Sequence, residues 1–157
     1  MRARELAVDY PTVTPDDSAM DAARLLAAQG LPGLVVVDGR RRAVAVLPGS
    51  RLVRQIVPPH VRDDPALARV YDEPHADRLC ARLAGRTVAD LLEGGRTPLP
   101  VVDPGATVME IASVMAGARS PVVAVADDER HPEKGTVIGV ITAAHLLERI
   151  LPAAGDG

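Results

Sequence analysis

Residues 10–38 read YPTVTPDDSAMDAARLLAAQGLPGLVVVD, and residues 99–127 read LPVVDPGATVMEIASVMAGARSPVVAVAD. Laid over one another at a shift of 89, nine of the 28 positions from Pro11 to Asp38 are identical: Pro11/Pro100, Val13/Val102, Pro15/Pro104, Met20/Met109, Ala23/Ala112, Ala27/Ala116, Pro32/Pro121, Val36/Val125 and Asp38/Asp127. Self-similarity at a fixed shift is the mark of a duplicated unit. The match resumes at a shift of 94, where VAVLPGSRLVRQIVP from Val44 falls on IGVITAAHLLERILP from Ile138. The second copy therefore carries five extra residues around DERHPEKGT. A hairpin tip absorbs such an insertion at little entropic cost. Glu5-Leu6 also matches Asp90-Leu91 loosely, so the units run over residues 1–58 and 86–152.

Each unit has the same predicted order. Pro11 to Thr14 is a short extended lead. Ser18-x-x-Asp21 and Thr107-x-x-Glu110 have the spacing of capping boxes. The helix behind each ends near Gly30 or Arg119. Met20, Ala23 and Ala27 share one face at helical spacing, as do Met109, Ala112 and Ala116, and this face is expected to pack on a sheet. Leu34 to Val37 and Val122 to Ala126 read as buried strands. Val44 to Leu47 and Val137 to Ile141 are their partners across the turns DGRRR and DDERHPEKGT. A last helix, Gly49 to Val57 or Ala143 to Leu151, stops at Pro58 or Pro152. The result is β-α-β-β-α, twice. Residues 59–85 belong to neither copy. Asp64-Pro65 and Glu73-Pro74 are helix-opening pairs, and Leu79 and Leu83 fall at i, i+4, so a helical insert is expected there. Residues 153–157 read as a frayed C-terminus.

Composition removes several function classes. With no Phe, no Trp and two Tyr, the core is aliphatic and the stacking platforms of single-strand nucleic-acid binders are missing. A net charge of −3 gives no electrostatic footprint for DNA or RNA. One cysteine, Cys80, makes no internal disulfide. Residues 1–10 lack a signal-peptide core, and the apolar run from Val137 to Ala144 is far shorter than the ~20 residues that cross a bilayer, so a cytoplasmic protein is expected.

Catalytic and metal chemistry find no constellation. His60, His75 and His131 have no metal spacing with Cys80 or each other. LPGSRLV around Ser50 lacks the second glycine of a nucleophile elbow. No Gly-rich phosphate loop is present. Asp63-Asp64 and Asp127-Asp128 read as turn and cap residues. The expectation is a protein that is not an enzyme.

The duplicated β-α-β-β-α order, with TVTP, VVVD and GVIT at their places, resembles the CBS domain, and two in tandem resemble a CBS pair, or Bateman module. That resemblance implies an α+β fold of two units packed sheet to sheet about a pseudo-two-fold axis, and pairs that form a flat homodimeric disc. It implies clefts between units that bind AMP, ADP, ATP or S-adenosylmethionine as a regulatory ligand, with no required cofactor and no metal. It also implies a regulated partner, whether enzyme, channel or transporter.

Carried onto this sequence, the first cleft would comprise Pro11, Thr12, Leu31, Pro32, Gly33, Val122, Thr142 and His145. Thr142 opens a helix whose free N–H groups suit phosphate. The family places an aspartate, the ribose clamp, where this chain has His145, which cannot hold two hydroxyls as a carboxylate does. The second, degenerate cleft would comprise Ser50, Arg51, Pro100, Val101, Ser120 and Pro121. There Pro48 replaces the threonine and removes an N–H, while Arg51 replaces the aspartate and could take an anion. Arg40 to Arg42 offer an anion site, but on a hairpin turn a solvated turn is the favoured reading. An adenine in either cleft would lie against Val, Leu and Pro. The departures at Pro48, Arg51 and His145 leave a second expectation, a degenerate pair that dimerises as an interaction scaffold and binds no nucleotide.

Overall fold

Runs of β-branched residues bounded by Gly, Pro and Asp make short strands, and alanine-rich segments behind Ser or Thr caps make helices. The structure, a computed structural model, describes residues 1–57, 66, 81–93 and 96–152. The first unit runs α1 (Ala3–Leu6), β1 (Thr12–Val13), α2 (Ala19–Gln29), β2 (Gly33–Val37), β3 (Ala43–Pro48) and α3 (Gly49–Ile56). The second runs α4 (Val88–Leu92), β4 (Val101–Val102), α5 (Val108–Ala118), β5 (Val122–Ala126), β6 (Val137–Thr142) and α6 (Ala143–Ile150). Each unit builds a three-stranded sheet in which the lead strand pairs parallel to the middle strand and the last strand antiparallel to it. Both hairpins carry a register shift at the same place, Val36/Val37 and Val125/Ala126. The five extra residues lie in the β5–β6 turn, which includes a 3-10 turn at Pro132–Lys134.

The caps follow the sequence closely. The Ser18 and Thr107 hydroxyls accept from the N–H of Asp21 and Glu110. Neither forms the reciprocal half of a capping box, and Asp21 instead lies 3.8 Å from Arg24. The complete box stands at α4, where Thr87 and Asp90 satisfy each other's backbone N–H groups. Gly30 and Arg119 close their helices in the left-handed conformation, and the next residue's N–H reaches back to Leu26 or Met115. That is the Schellman arrangement.

The helix face that packs on each sheet overlaps the expected one, with Met20, Ala23 and Ala112 half-buried against the cores. Ala19 and Ala22 of α2, and Ile111 and Met115 of α5, are the buried positions. Ala27 and Ala116 are exposed, and Met109 is 76% exposed. In so alanine-rich a helix, two adjacent stripes are almost equally apolar, and the bulkier Ile111 and Met115 select the one that fills the core.

The short leading helices sit in each other's cores. Ala3 and Leu6 pack with Val102, Ile111, Val123 and Ile141, whereas Val88, Leu91 and Leu92 pack with Val13, Ala22, Leu34 and Leu52. The backbone repeats the exchange. Ala3 N–H donates to Ala106 O as Val88 N–H donates to Asp17 O, and Arg4 N–H donates to Pro104 O as Ala89 N–H donates to Pro15 O, all at 2.9–3.0 Å. Val8 bridges Val140 as Thr97 bridges Val46. These equivalent pairs express the pseudo-two-fold. Each fully buried leucine contributes about 1.5–3 kcal/mol relative to exposure, so the crossed helices bind the two units together. Between the sheets, Val35, Val37, Val46 and Leu99 meet Val122, Ala124, Val137 and Val140 in a third apolar cluster.

Of the expected insert, the described part is a 3-10 turn at Ala81–Leu83, with Leu83 buried in the first unit's core. The helix openings at Asp64-Pro65 and Glu73-Pro74, together with His60, His75, Cys80 and residues 153–157, lie outside the described residues. No described helix is long and apolar enough to cross a membrane.

Candidate functional site

A cavity of about 400 Å³ opens at the seam of the units. Residues 9–12 of the lead, Gln29 at the end of α2 and Arg41 in the β2–β3 turn line one side, and residues 137–140 of β6 line the other. The lead strand is an edge strand of its sheet, and the cavity lies beside the residues that run into it. Gly139 lets the lead come close, since a Cβ there would meet the Ala7 methyl at 2.8 Å. The Arg41 carbonyl accepts from Val137 N–H at 2.9 Å, joining the turn to β6 across the seam.

Tyr10 brings a ring to this cavity. Its hydroxyl donates to the Gly33 carbonyl at 2.6 Å, and its body joins the inter-sheet apolar cluster. Burial pushes the phenol above its ordinary value, against the smaller opposing effect of the Gly33 bond. As one of only two tyrosines, immediately before Pro11, it was visible in the sequence.

Arg41, from the turn that the sequence offers as an anion site or a solvated turn, also lines the cavity. The turn around it is built by Asp38, whose carboxylate accepts from Arg40 N–H at 2.8 Å and Arg42 N–H at 2.9 Å. These bonds hold the Asp38 carboxyl below its usual range, the Arg42 bond most of all. Arg40 to Arg42 are exposed, as a solvated turn requires, but Arg41 reaches the cavity.

The remaining site candidates divide between three places. Pro11 and Thr12 line the seam cavity. Val122, Thr142 and His145 gather at the start of α6: Thr142 pairs with Val122, its hydroxyl accepts from His145 N–H at 3.1 Å, and Ala143 N–H donates to Pro121 O. His145 Nδ1 lies 3.8 Å from Glu148, whose negative charge would face any phosphate there. Leu31, Pro32 and Gly33 adjoin the start of α3, where Gly49 N–H donates to Pro32 O at 3.1 Å and Gly33 pairs with Pro48.

In the second cleft, the Arg51 guanidinium donates to Thr97 Oγ1 at 2.6 Å, so one of its edges serves a bond to the lead of the other unit. Ser120 is buried, donating to Val122 O at 2.6 Å and accepting from Val122 N–H, so its hydroxyl is a turn staple. Ser50 is exposed on α3, and Pro48 caps that helix without a side-chain bond. Pro100 accepts from Ala124 N–H, and Val101 pairs with Ala124. Among the described residues no three His, Cys, Asp or Glu side chains gather as a metal site.

The CBS domain model matches residues 3–57 and 88–152. No curated protein matches the chain. Among solved structures, a CBS domain-containing protein of unknown function from Kribbella flavida is 44% identical, with 97% of this chain and 99% of that one covered and a TM-score of 0.82. The CBS-pair protein CBSX2 from Arabidopsis thaliana is 21% identical over 95% of this chain and 93% of its own, with a TM-score of 0.68. CBSX2 in complex with AMP aligns at 21% identity over 95% of each chain, with a TM-score of 0.64. The last two show likeness of fold. The duplicated unit, the paired sheets and the two family matches lead to one conclusion: the chain belongs to the CBS-domain family and carries that domain twice.

Proposed function

We propose that this protein is a cytoplasmic regulatory module that takes an adenine nucleotide or related adenosyl ligand between its two units and passes the bound state to a partner protein. The seam cavity carries this reading. Its volume lies in the range of small-molecule sites, and both units line it, so a ligand there bears on how they sit together. A protein of the same fold has been solved with AMP. The role is regulatory, not catalytic: the cavity offers a ring, an amide, a hydroxyl and one charge of each sign, without a nucleophile–base pair. Thermal shift with AMP, ADP, ATP, S-adenosylmethionine and NADH tests it. A ligand at 100 times its dissociation constant should stabilise the fold by about 2.7 kcal/mol, and no shift with any of them at millimolar concentration would remove the sensor reading.

A second reading, a homodimerising scaffold without ligand, draws on the exposed apolar residues Met109, Leu147, Ile150 and Leu151 of the second unit. Of their equivalents in the first unit, Met20, Ile56 and Val57 are half-buried while Val53 is exposed like Leu147, and α3 is contacted by the 3-10 turn at Ala81–Leu83. The thermal shift separates the readings, because a scaffold is stabilised by none of the five ligands, while a monomeric mass by light scattering at tens of micromolar would count against the dimer itself.

A further inference from the structure

The second unit has a cavity of its own, about 580 Å³, between β4, the first turns of α5 and the inserted turn. The first unit has no such insert, only the short turn DGRRR. In the second, the 3-10 turn at Pro132–Lys134 packs on β4 and β5, and Pro132 walls the cavity. That turn is held firmly. The Asp128 carboxylate accepts from Arg130 N–H at 3.0 Å and His131 N–H at 2.8 Å, and a Cβ at Gly135 would stand 2.9 Å from that of Asp128. Asp103 lines the cavity, and its Oδ1 is buried without a hydrogen-bond partner, the one such side-chain atom among the described residues. A buried acceptor left unpaired is costly and calls for a donor. Arg2, which reaches the same turn, donates instead to Gly105 O at 3.1 Å.

The duplication shows which donor is missing. At the shift of 89, Asp103 falls on Thr14, Glu110 on Asp21 and Ser113 on Arg24. In the first unit the Arg24 guanidinium lies 3.8 Å from the Asp21 carboxylate. The second unit keeps the carboxylate, gains another at Asp103 and has a serine where the arginine stood. Glu110 makes no ion pair among the described residues.

We propose that this cavity binds a guanidinium on an alkyl stem, either an arginine side chain of a partner or a free alkylguanidine, with Asp103 and Glu110 receiving its N–H groups. The ligand brings from outside the cation that Arg24 provides within the first unit. A guanidinium carries five N–H donors and no acceptor, and it sheds water more readily than an ammonium. Val101, Val102, Val114 and Pro132 give the apolar wall along which the stem lies. With two carboxylates and no cation on its lining, the cavity repels phosphate. It belongs to the second unit alone, so it stands or falls separately from the nucleotide reading of the seam.

Calorimetric titration of the full chain tests this with agmatine, with a blocked Gly-Arg-Gly tripeptide, and with the same peptide carrying uncharged citrulline for arginine. The proteins are the wild type, Asp103→Asn, Glu110→Gln and Ser113→Arg. The guanidinium ligands should bind the wild type, and the citrulline peptide should not. Asp103→Asn and Glu110→Gln should each weaken binding about tenfold, the scale of one charge-assisted hydrogen bond. Ser113→Arg rebuilds the first unit's pair at an exposed position, so it should abolish binding and leave the melting temperature level. Tighter binding of the arginine peptide than of agmatine points to a partner's arginine as the source, and the reverse to a free guanidine. Silence of both at millimolar concentration would overturn the proposal. So would equal affinity for the citrulline peptide, or affinity unchanged in Asp103→Asn and Ser113→Arg.

Discussion

The Tyr10 hydroxyl donates to the Gly33 carbonyl at 2.6 Å, fastening the lead of the first unit to the residue that starts its central strand. Tyr10→Phe keeps the ring and deletes the bond. It should cost about 1 kcal/mol in urea unfolding, the net value of one protein hydrogen bond. The same residue sets an alkaline limit. Burial raises its folded-state value above the ordinary one near 10. The unfolded chain therefore releases the phenolic proton first, and stability present below pH 10 declines as pH climbs above it. In Tyr10→Phe this part of the decline should vanish. An identical slope in both proteins would show that Tyr10 is not its source.

Gly139 and Ala7 test the crossed packing of the units. A Cβ at Gly139 would meet the Ala7 methyl at 2.8 Å and the Val8 carbonyl at 3.3 Å. Gly139→Val should destabilise by about 1–3 kcal/mol, as overpacking does, and should speed amide exchange at Val8 and Val140, which bond to each other across the seam. Gly117, the second-to-last residue of α5 with open space at its Cβ, is the control. Gly117→Ala should be neutral or stabilise by up to about 0.5 kcal/mol, because glycine costs about 0.5–1 kcal/mol relative to alanine in mid-helix and less in the last turn.

Much of this architecture was readable beforehand, and the misses have physical causes. Gly30, Pro58 and the Ser18 and Thr107 caps announce helix limits locally, and the VVV runs announce strands. The leading helices carry only a faint match, Glu5-Leu6 against Asp90-Leu91. A four- or five-residue helix is too short for periodicity, and its worth comes from the core of the other unit, distant in sequence. Identity between the copies pointed to Met20/Met109, of which Met20 packs on its core and Met109 is exposed, because Ile111 and Met115 fill the second unit's core. The site was harder still. Family positions lead to Thr142 and His145, while the cavity draws on Asp9, Tyr10 and Arg41, whose meeting depends on the turn reaching β6.

Thr142 closes α6 by accepting from His145 N–H. Thr142→Ala should cost about 1 kcal/mol by loss of that cap, and Thr142→Ser should restore it. Chemical denaturation of the three proteins checks this. Equal midpoints would mean the cap contributes nothing.

The two hairpin turns set an acid limit. Asp38 is held below the usual carboxylate range chiefly by Arg42 N–H, and Asp128 chiefly by His131 N–H. Because their folded-state values lie below the unfolded ones, the stability they contribute is present above about pH 4 and is lost as pH falls through the folded values. Asp38→Asn should flatten the dependence of the urea midpoint between pH 5 and pH 2, in steps read at about half-unit intervals. A slope equal to wild type would place the acid sensitivity elsewhere.

The central claim is that an adenosyl ligand occupies the seam between the units. Calorimetric titration of the full-length protein with AMP addresses it most directly. The account predicts saturable binding that raises the melting temperature. Absence of heat and of any thermal shift with AMP, ADP, ATP and S-adenosylmethionine at millimolar concentration would contradict it.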